Sequence, residues 1–346
     1  MPEINLTELS RQLKADKPSK VYLIYGGEDY LKRRALHDLL RVCVPAVLPE
    51  FNYERIDGER GETGKIVDAT GQMPMMADRR CVLVDNLAVS GDDSQIADCI
   101  ERLQPGCVLI LYYSFSDALM NSAGFRKIRD ACVKFGSVLK LDAPTRNETI
   151  DIISEEAAGM NAAIKPGDAA YLMDWHGADL AGLIGELQKL AAYAGKRAIS
   201  REMIEELCPR SLESNAFHIA QSILRGNADE AFRLALNILA QEDPKQDAVS
   251  VCACIAGNFV DLYRAKAAVS SGISAEEMIA AFPSDYGGAR GFKIRNAMRD
   301  CARFPISLLK RYIDLIFDAD VRLKSARGDK KIHLEQLISR LCLAKE

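Results

Sequence analysis

The sequence predicts an α/β three-layer domain on a five-stranded parallel sheet, then an all-helical domain, then an all-helical C-terminal domain. Three observations predict it. Within the first 142 residues, short β-rich runs alternate with amphipathic stretches. Three of those runs are nearly continuous in apolar residues, as strands buried on both faces of a parallel sheet must be. Beyond Asp142 no such run recurs, and the pattern reads as helices to the C-terminus.

The chain opens on a charged, helix-like segment, MPEINLTELSRQLKADKPSK, without the apolar core of a secretory leader. The strand-like runs are VYLIYG (21–26), NYERID (52–57), CVLVDN (81–86), VLILYY (108–113) and SVLKLD (137–142). Helix-like segments at 30–41, 63–72, 92–103 and 118–134 lie between them, which gives the order of a doubly wound domain. Past the last strand, Thr145 and Glu148 stand three residues apart, so each side chain can satisfy a free amide of the other in a capping box. In ADLAGLIGELQKLAAYAG, Leu180, Leu183, Ile184, Leu187 and Leu190 share one helical face and Gly195 is a stop signal. Leu308, Tyr312, Leu315, Ala319 and Leu323 form a second stripe. Between the two, CPRSLESNAF (208–217) reads as a hinge. The expected domains are therefore 1–142, 143–211 and 212–346, and 346 residues are ample for three.

Composition narrows the class. With 48% hydrophobic and 27% charged residues, the balance is that of a soluble globular protein. The longest uncharged run, Leu103 to Ser116, has 14 residues and is too short to span a bilayer. The expectation is a cytoplasmic chain with no membrane contact. Ten cysteines are scattered without a C-x-x-C pair, and His37, His176, His218 and His333 stand far apart, so reduced thiols and no metal are expected. Net charge is −4, yet residues 290–331 hold twelve Lys or Arg against five Asp or Glu. Arg290, Lys293, Arg295, Arg299 and Arg303 fall on one predicted helix. That stretch could meet DNA phosphates or an acidic neighbouring subunit, or it is a solvated face.

An α/β domain of this order raises the question of nucleotide binding. A P-loop needs glycines whose amides cradle phosphate, a lysine that reaches the β/γ oxygens and a hydroxyl for magnesium. GEDYLKRRAL (27–36), the segment after the first strand, has no such run. GERGETGKI (58–66) imitates one at Gly64-Lys65, but Glu59 stands where the first glycine belongs and Ile66 replaces the hydroxyl. Asp85 occupies the Walker-B place, but Asn86 follows it instead of a glutamate able to polarise water. No serine, cysteine or histidine constellation of a hydrolase is present. The sequence therefore predicts neither catalysis nor a cofactor. An active ATPase with an unorthodox site around Gly64-Lys65 is the alternative.

The stretch QMPMMADRRCVLVDN (72–86) sets Met73, Pro74, Met75 and Met76 just ahead of the third strand. Pro74 fixes its own φ and biases Met73 towards extended backbone, which takes the methionines out of helical register. Asp78, Arg79 and Arg80 then return the chain to polar surroundings. Either the methionines cap the core beneath the sheet edge, or they are presented to a partner.

Four stretches resemble a known family: VYLIYGGEDYLKRRA at the first strand, MPMMADRRCVLVDN around the third, LIGELQKLAAYAG in the middle and LLKRYIDLIFDADVRLKSARGDKKIHLEQLISRL (308–341) near the end. In this order they resemble the delta subunit of the bacterial DNA polymerase III clamp loader. The resemblance implies an AAA+-like first domain with a decayed nucleotide site, a helical lid and a helical collar within a multisubunit ring. It implies partners too: the sliding clamp (beta), the gamma/tau ATPase subunits, delta-prime, and DNA inside the assembled loader. It also implies that Met75 and Met76, after Pro74, occupy the positions of the apolar pair that plugs into the clamp. Methionine suits such a pocket because it is flexible and polarizable.

Overall fold

A computed structural model describes residues 3–344 except 62, 90–93, 115–121, 178, 241–246, 288–289 and 326–328. It divides into two compact units, Met1–Ala143 and Pro144–Glu346.

In the first unit the elements run α1 (Leu6–Lys14), β1 (Val21–Tyr25), α2 (Asp29–Cys43), the single turn α3 (Pro49–Asn52), β2 (Tyr53–Asp57) and α4 (Thr63–Gly71). They continue with β3 (Arg80–Asp85), α5 (Ser94–Glu101), β4 (Cys107–Tyr112), α6 (Ala123–Phe135) and β5 (Ser137–Lys140). The five strands form one sheet in the order β2-β3-β4-β1-β5, and every pairing is parallel. Every residue of β1 and β4 is buried, because helices cover both faces of the central strands. The edge strand β2 buries only Ile56 among its five residues, which explains its more polar sequence. On one face Leu23, Val84, Leu109 and Leu111 pack with Ile96, Ile100, Phe125 and Ile128. Phe125 meets Tyr25 and Tyr113 edge-on, with centroids 5.3 and 5.4 Å away.

The predicted strands all form, with shifted ends. Asn52 belongs to α3 rather than to β2, and β3 begins at Arg80, one residue early. The predicted helices at 92–103 and 118–134 appear as α5 and α6; residues 92–93 and 118–121 lie outside the described residues.

The second unit begins with α7 (Arg146–Gly159), where Thr145 and Glu148 make the expected reciprocal cap. Then come β6 (Ala163–Ile164), α8 (Pro166–His176), α9 (Leu180–Ala194), β7 (Ala198–Ile199), α10 (Arg201–Leu207), α11 (Leu212–Arg225) and α12 (Ala228–Leu239). The chain ends with α13 (Ala248–Ser270), α14 (Ala275–Ala281), α15 (Pro283–Tyr286), α16 (Gly291–Asp300), α17 (Ile306–Ser325) and α18 (Lys330–Leu343). The two-residue strands β6 and β7 pair in parallel, which corrects the expectation of helices alone; two residues are too few to show a period. The predicted stripe on α9 is buried throughout. On α17 the buried face is Leu309, Tyr312, Ile316, Ala319 and Leu323, so Leu308 and Leu315 sit beside the core rather than in it.

The segment read as a hinge is tied down. Trp175 Nε1 donates to the Cys208 carbonyl at 2.9 Å, and Ser211 N donates to the Trp175 carbonyl at 3.1 Å. The Arg210 guanidinium lies 3.9 Å from the Trp175 ring centroid, and residues from Leu212 onward are helix. Among the described residues, α13 is long and apolar enough to cross a membrane by length and composition. It lines the core of the second unit with Val251, Cys252, Ile255, Phe259 and Leu262.

Candidate functional site

Between α4 and β3 the chain makes a short exposed loop. Met73, Met75 and Met76 are 71%, 49% and 81% exposed, whereas Pro74 is half-buried. The loop is built from beneath. Asn52, fully buried at the end of α3, accepts from Met75 N at 2.7 Å and donates back to the Met75 carbonyl at 2.9 Å. Its amide also donates to the carbonyls of Val47 and Leu48 at 3.2 and 3.1 Å. Pro74 is seated against Gly106, where an added Cβ would come within 3.0 Å of the proline ring and 3.1 Å of the Asp78 carbonyl. Gly106 has φ +84°, which a β-carbon would strain. Met76 itself holds φ +52°, an uncommon conformation for a non-glycine residue. Val47 and Phe51, on the turn that Asn52 closes, are exposed apolar side chains too.

The return to β3 is only partly polar. The Arg79 guanidinium pairs with Asp16 at 2.7 Å and holds that carboxyl below its usual range. Arg80, read from sequence as solvent-facing, is 4% exposed. Its guanidinium donates to the carbonyls of Ala69, at 2.9 Å, and Phe51, and meets Glu54 at 2.6 Å. An arginine can be buried here because the carbonyls ending α4 and α3 converge on it. Asn52, Gly106 and Arg80 were missed as site residues: AVLPEFN (46–52) signals a turn but not its attachment to Met75.

At the P-loop position the chain's own groups take up the first backbone amides after β1. Gly26 (φ +127°) lies so near Leu141 that a Cβ would fall 2.2 Å from its carbonyl oxygen. The amides that would face a phosphate are engaged: Glu28 N donates to the Leu141 carbonyl at 2.9 Å and Gly27 N to the Asp142 carboxylate at 3.3 Å. Glu28 and Asp29 place negative charge at the start of α2, where a phosphate would have to sit. Lys32, 1% exposed, points inward and donates to the carbonyls of Tyr113 and Ser114 at 3.2 and 2.9 Å. Asp85 is bound by Arg55 at 2.5 Å, and Asn86 accepts from the amide and hydroxyl of Ser114 at 2.8 Å each. These residues do not fit a nucleoside triphosphate. Gly64 and Lys65 fall in the first turn of α4, not in a strand-to-helix loop.

Four of the five basic residues have partners within the second unit. Lys293, Arg295 and Arg299 lie on α16, with Arg290 at its N-cap and Arg303 in the 3-10 turn after it. Lys293 pairs with Glu213 of α11 at 2.7 Å, Arg295 with Glu276 at 3.3 Å and Arg299 with Asp300 at 3.2 Å. Arg290 donates to the Ser284 carbonyl at 2.9 Å. Among the described residues no cluster of three His, Cys, Asp or Glu could hold a metal. None of the ten thiols is exposed. Burial pushes Cys43, Cys132 and Cys208 up to about 12, and Cys107 and Cys252 to about 11.

Comparison with known proteins decides the family. Residues 22–132 match the family model described as DNA polymerase III, delta subunit, and residues 213–341 match that of the DNA polymerase III delta subunit, C-terminal domain. Together the two span more than half of the chain. It belongs to the DNA polymerase III delta subunit family. The DNA polymerase III subunit delta of Bacillus subtilis (strain 168) is 22% identical over 342 residues, covering 96% of this chain and 95% of that protein. In fold, the chain is similar to the solved Bacillus subtilis DNA clamp loader delta protein, with a TM-score of 0.74 at 20% identity over 98% of this chain and 100% of that one. The first unit of this delta-family chain thus pairs a five-stranded parallel sheet with a turn after β1 whose amides bond to the chain itself.

Proposed function

We propose that this delta subunit is a non-catalytic binding component of the clamp loader, which grips the sliding clamp and favours its open form for loading onto primed DNA. The observation that carries the reading is the loop at 73–76: two large apolar side chains, Met75 and Met76, stand in solvent on a backbone fixed by a buried amide. Burying Met76 in a pocket yields about 1.5–3 kcal/mol and the half-exposed Met75 about half as much, enough together to anchor an interface. Opening the ring then follows from differential binding, since the chain engages the open clamp better than the closed one. ATP hydrolysis belongs to the gamma/tau subunits, and the engaged amides and inward Lys32 at the P-loop position of this chain support that division of labour.

In this reading residues 143–211 form the lid and 212–346 the collar that holds the neighbouring subunits, delta-prime among them. The start of the C-terminal family match at residue 213 supports that boundary. DNA inside the assembled loader is a secondary, salt-dependent contact of the region around Arg290 and Arg303, and the whole assembly works in the cytoplasm. The deciding experiment is titration of the full chain with the sliding clamp of the same replication system. Met75→Ala/Met76→Ala loses clamp binding while the fold and loader assembly persist; retained affinity rejects the reading. Titration with labelled ATP and magnesium addresses the alternative, an active ATPase. Micromolar binding by this chain alone would support that alternative.

A further inference from the structure

Asn52 is a fully buried carboxamide whose bonding capacity is taken up by backbone. One of its targets is unusual. The Met75 peptide lies on a loop whose methionine side chains add little to the core, since all three are exposed. A residue serving the core alone would not need to grip that loop through both the N–H and the C=O of a single residue. The grip fixes the two peptide planes that flank the Met75 Cα, and the next residue is held at φ +52°, a conformation that an unrestrained methionine rarely visits. On the other side, the φ +84° turn at Gly106 leaves room for the Pro74 ring and no more.

From this geometry we propose that Asn52 is a positioning residue for clamp docking. With Gly106 as the seat for Pro74, it holds the methionine wedge in its docking conformation before the clamp arrives. The inference rests on the clamp-docking reading and deepens it. Methionine has three rotatable side-chain bonds, so a wedge on a slack loop would lose both backbone and side-chain freedom on binding. Fixing the backbone in advance removes the larger share of that loss. The loop then adapts only through the thioether side chains.

The test uses the full chain and the sliding clamp. In free Asn52→Ala, hydrogen exchange at the Met75 amide accelerates by about tenfold or more, and the Met75 and Met76 methyl NMR signals move to flexible-chain positions. Clamp affinity falls by about tenfold, while exchange in the central strands stays as in the wild type. Gly106→Ala, on an exposed turn, disturbs Pro74 without touching Asn52; it gives the same signature and is read in its place if Asn52→Ala unfolds. Loop order lost with clamp affinity kept within about twofold overturns the inference, as does unchanged loop order in the variants. If instead Met75→Ala/Met76→Ala binds the clamp normally, the docking reading itself is gone and this inference goes with it.

Discussion

Lys32→Met tests whether the lysine beyond β1 is a structural cation. The wild-type ammonium group is 1% exposed and donates to the carbonyls of Tyr113 and Ser114 at 3.2 and 2.9 Å, where β4 gives way to its loop. It also lies 2.9 Å from Asp29, but that carboxylate is 57% exposed, so the ion pair adds no more than about 1 kcal/mol. Methionine keeps most of the packing volume and leaves both carbonyls without this donor. Two charge-assisted hydrogen bonds contribute about 1.5–3 kcal/mol each; relief from burying a charge offsets part of that. The net loss is about 2–4 kcal/mol, or roughly 5–12 °C in the melting of a unit this size. The sole tryptophan, Trp175, lies in the second unit, so its fluorescence does not report the event. Hydrogen exchange at Ile24 and Tyr113, or near-ultraviolet tyrosine circular dichroism, is the proper readout. A change below about 0.5 kcal/mol would show that the two carbonyls find other donors and that the argument from burial is wrong.

Further outcomes are expected elsewhere. Gly26→Ala must move the Leu141 backbone and also strains φ, so it costs more than about 3 kcal/mol, measured by thermal unfolding. Thr145→Ala removes the oxygen that caps α7 and costs about 1 kcal/mol. Hydrogen bonds from the Thr145 amide and hydroxyl lower the Glu148 pKa in the folded chain. A depressed carboxylate stabilises fully above its unfolded value and loses that contribution as pH falls through the folded one. The Thr145→Ala penalty should therefore shrink on acidification below the ordinary glutamate value of 4.5, as pH-dependent melts will show. Trp175→Phe abolishes the Nε1 bond to Cys208 and weakens stacking on Arg210, loosening the α10–α11 joint by about 1–2 kcal/mol in urea unfolding followed by far-ultraviolet circular dichroism.

What the sequence revealed follows from the physics of each element. The central strands were legible because burial on both faces demands unbroken apolar runs such as VYLIY and CVLILY. The strands β6 and β7 were not, since Ala-Ile twice carries no pattern. On α17 the neighbouring pairs Leu308-Leu309 and Leu315-Ile316 satisfy helical spacing on two overlapping faces, and only packing chooses between them. At the candidate site, the methionine loop announced itself through Pro74 and the apolar residues around it. Its support did not. The bond from Asn52 reaches a residue 23 positions away, and no local signal marks such a partner. Arg80 was misread for the same reason, because charge predicts exposure until a buried set of carbonyls meets it.

The thiols carry a practical consequence. With burial holding Cys43, Cys132 and Cys208 near 12, only about one in a hundred thousand of these groups is a thiolate at neutral pH. These thiols of the folded chain are therefore slow towards maleimide dyes, whereas Cys99, Cys254 and Cys342 are only half-buried. A fluorophore can therefore be placed beside the methionine loop on an engineered surface cysteine once those three native cysteines are replaced, with the seven buried ones left in place.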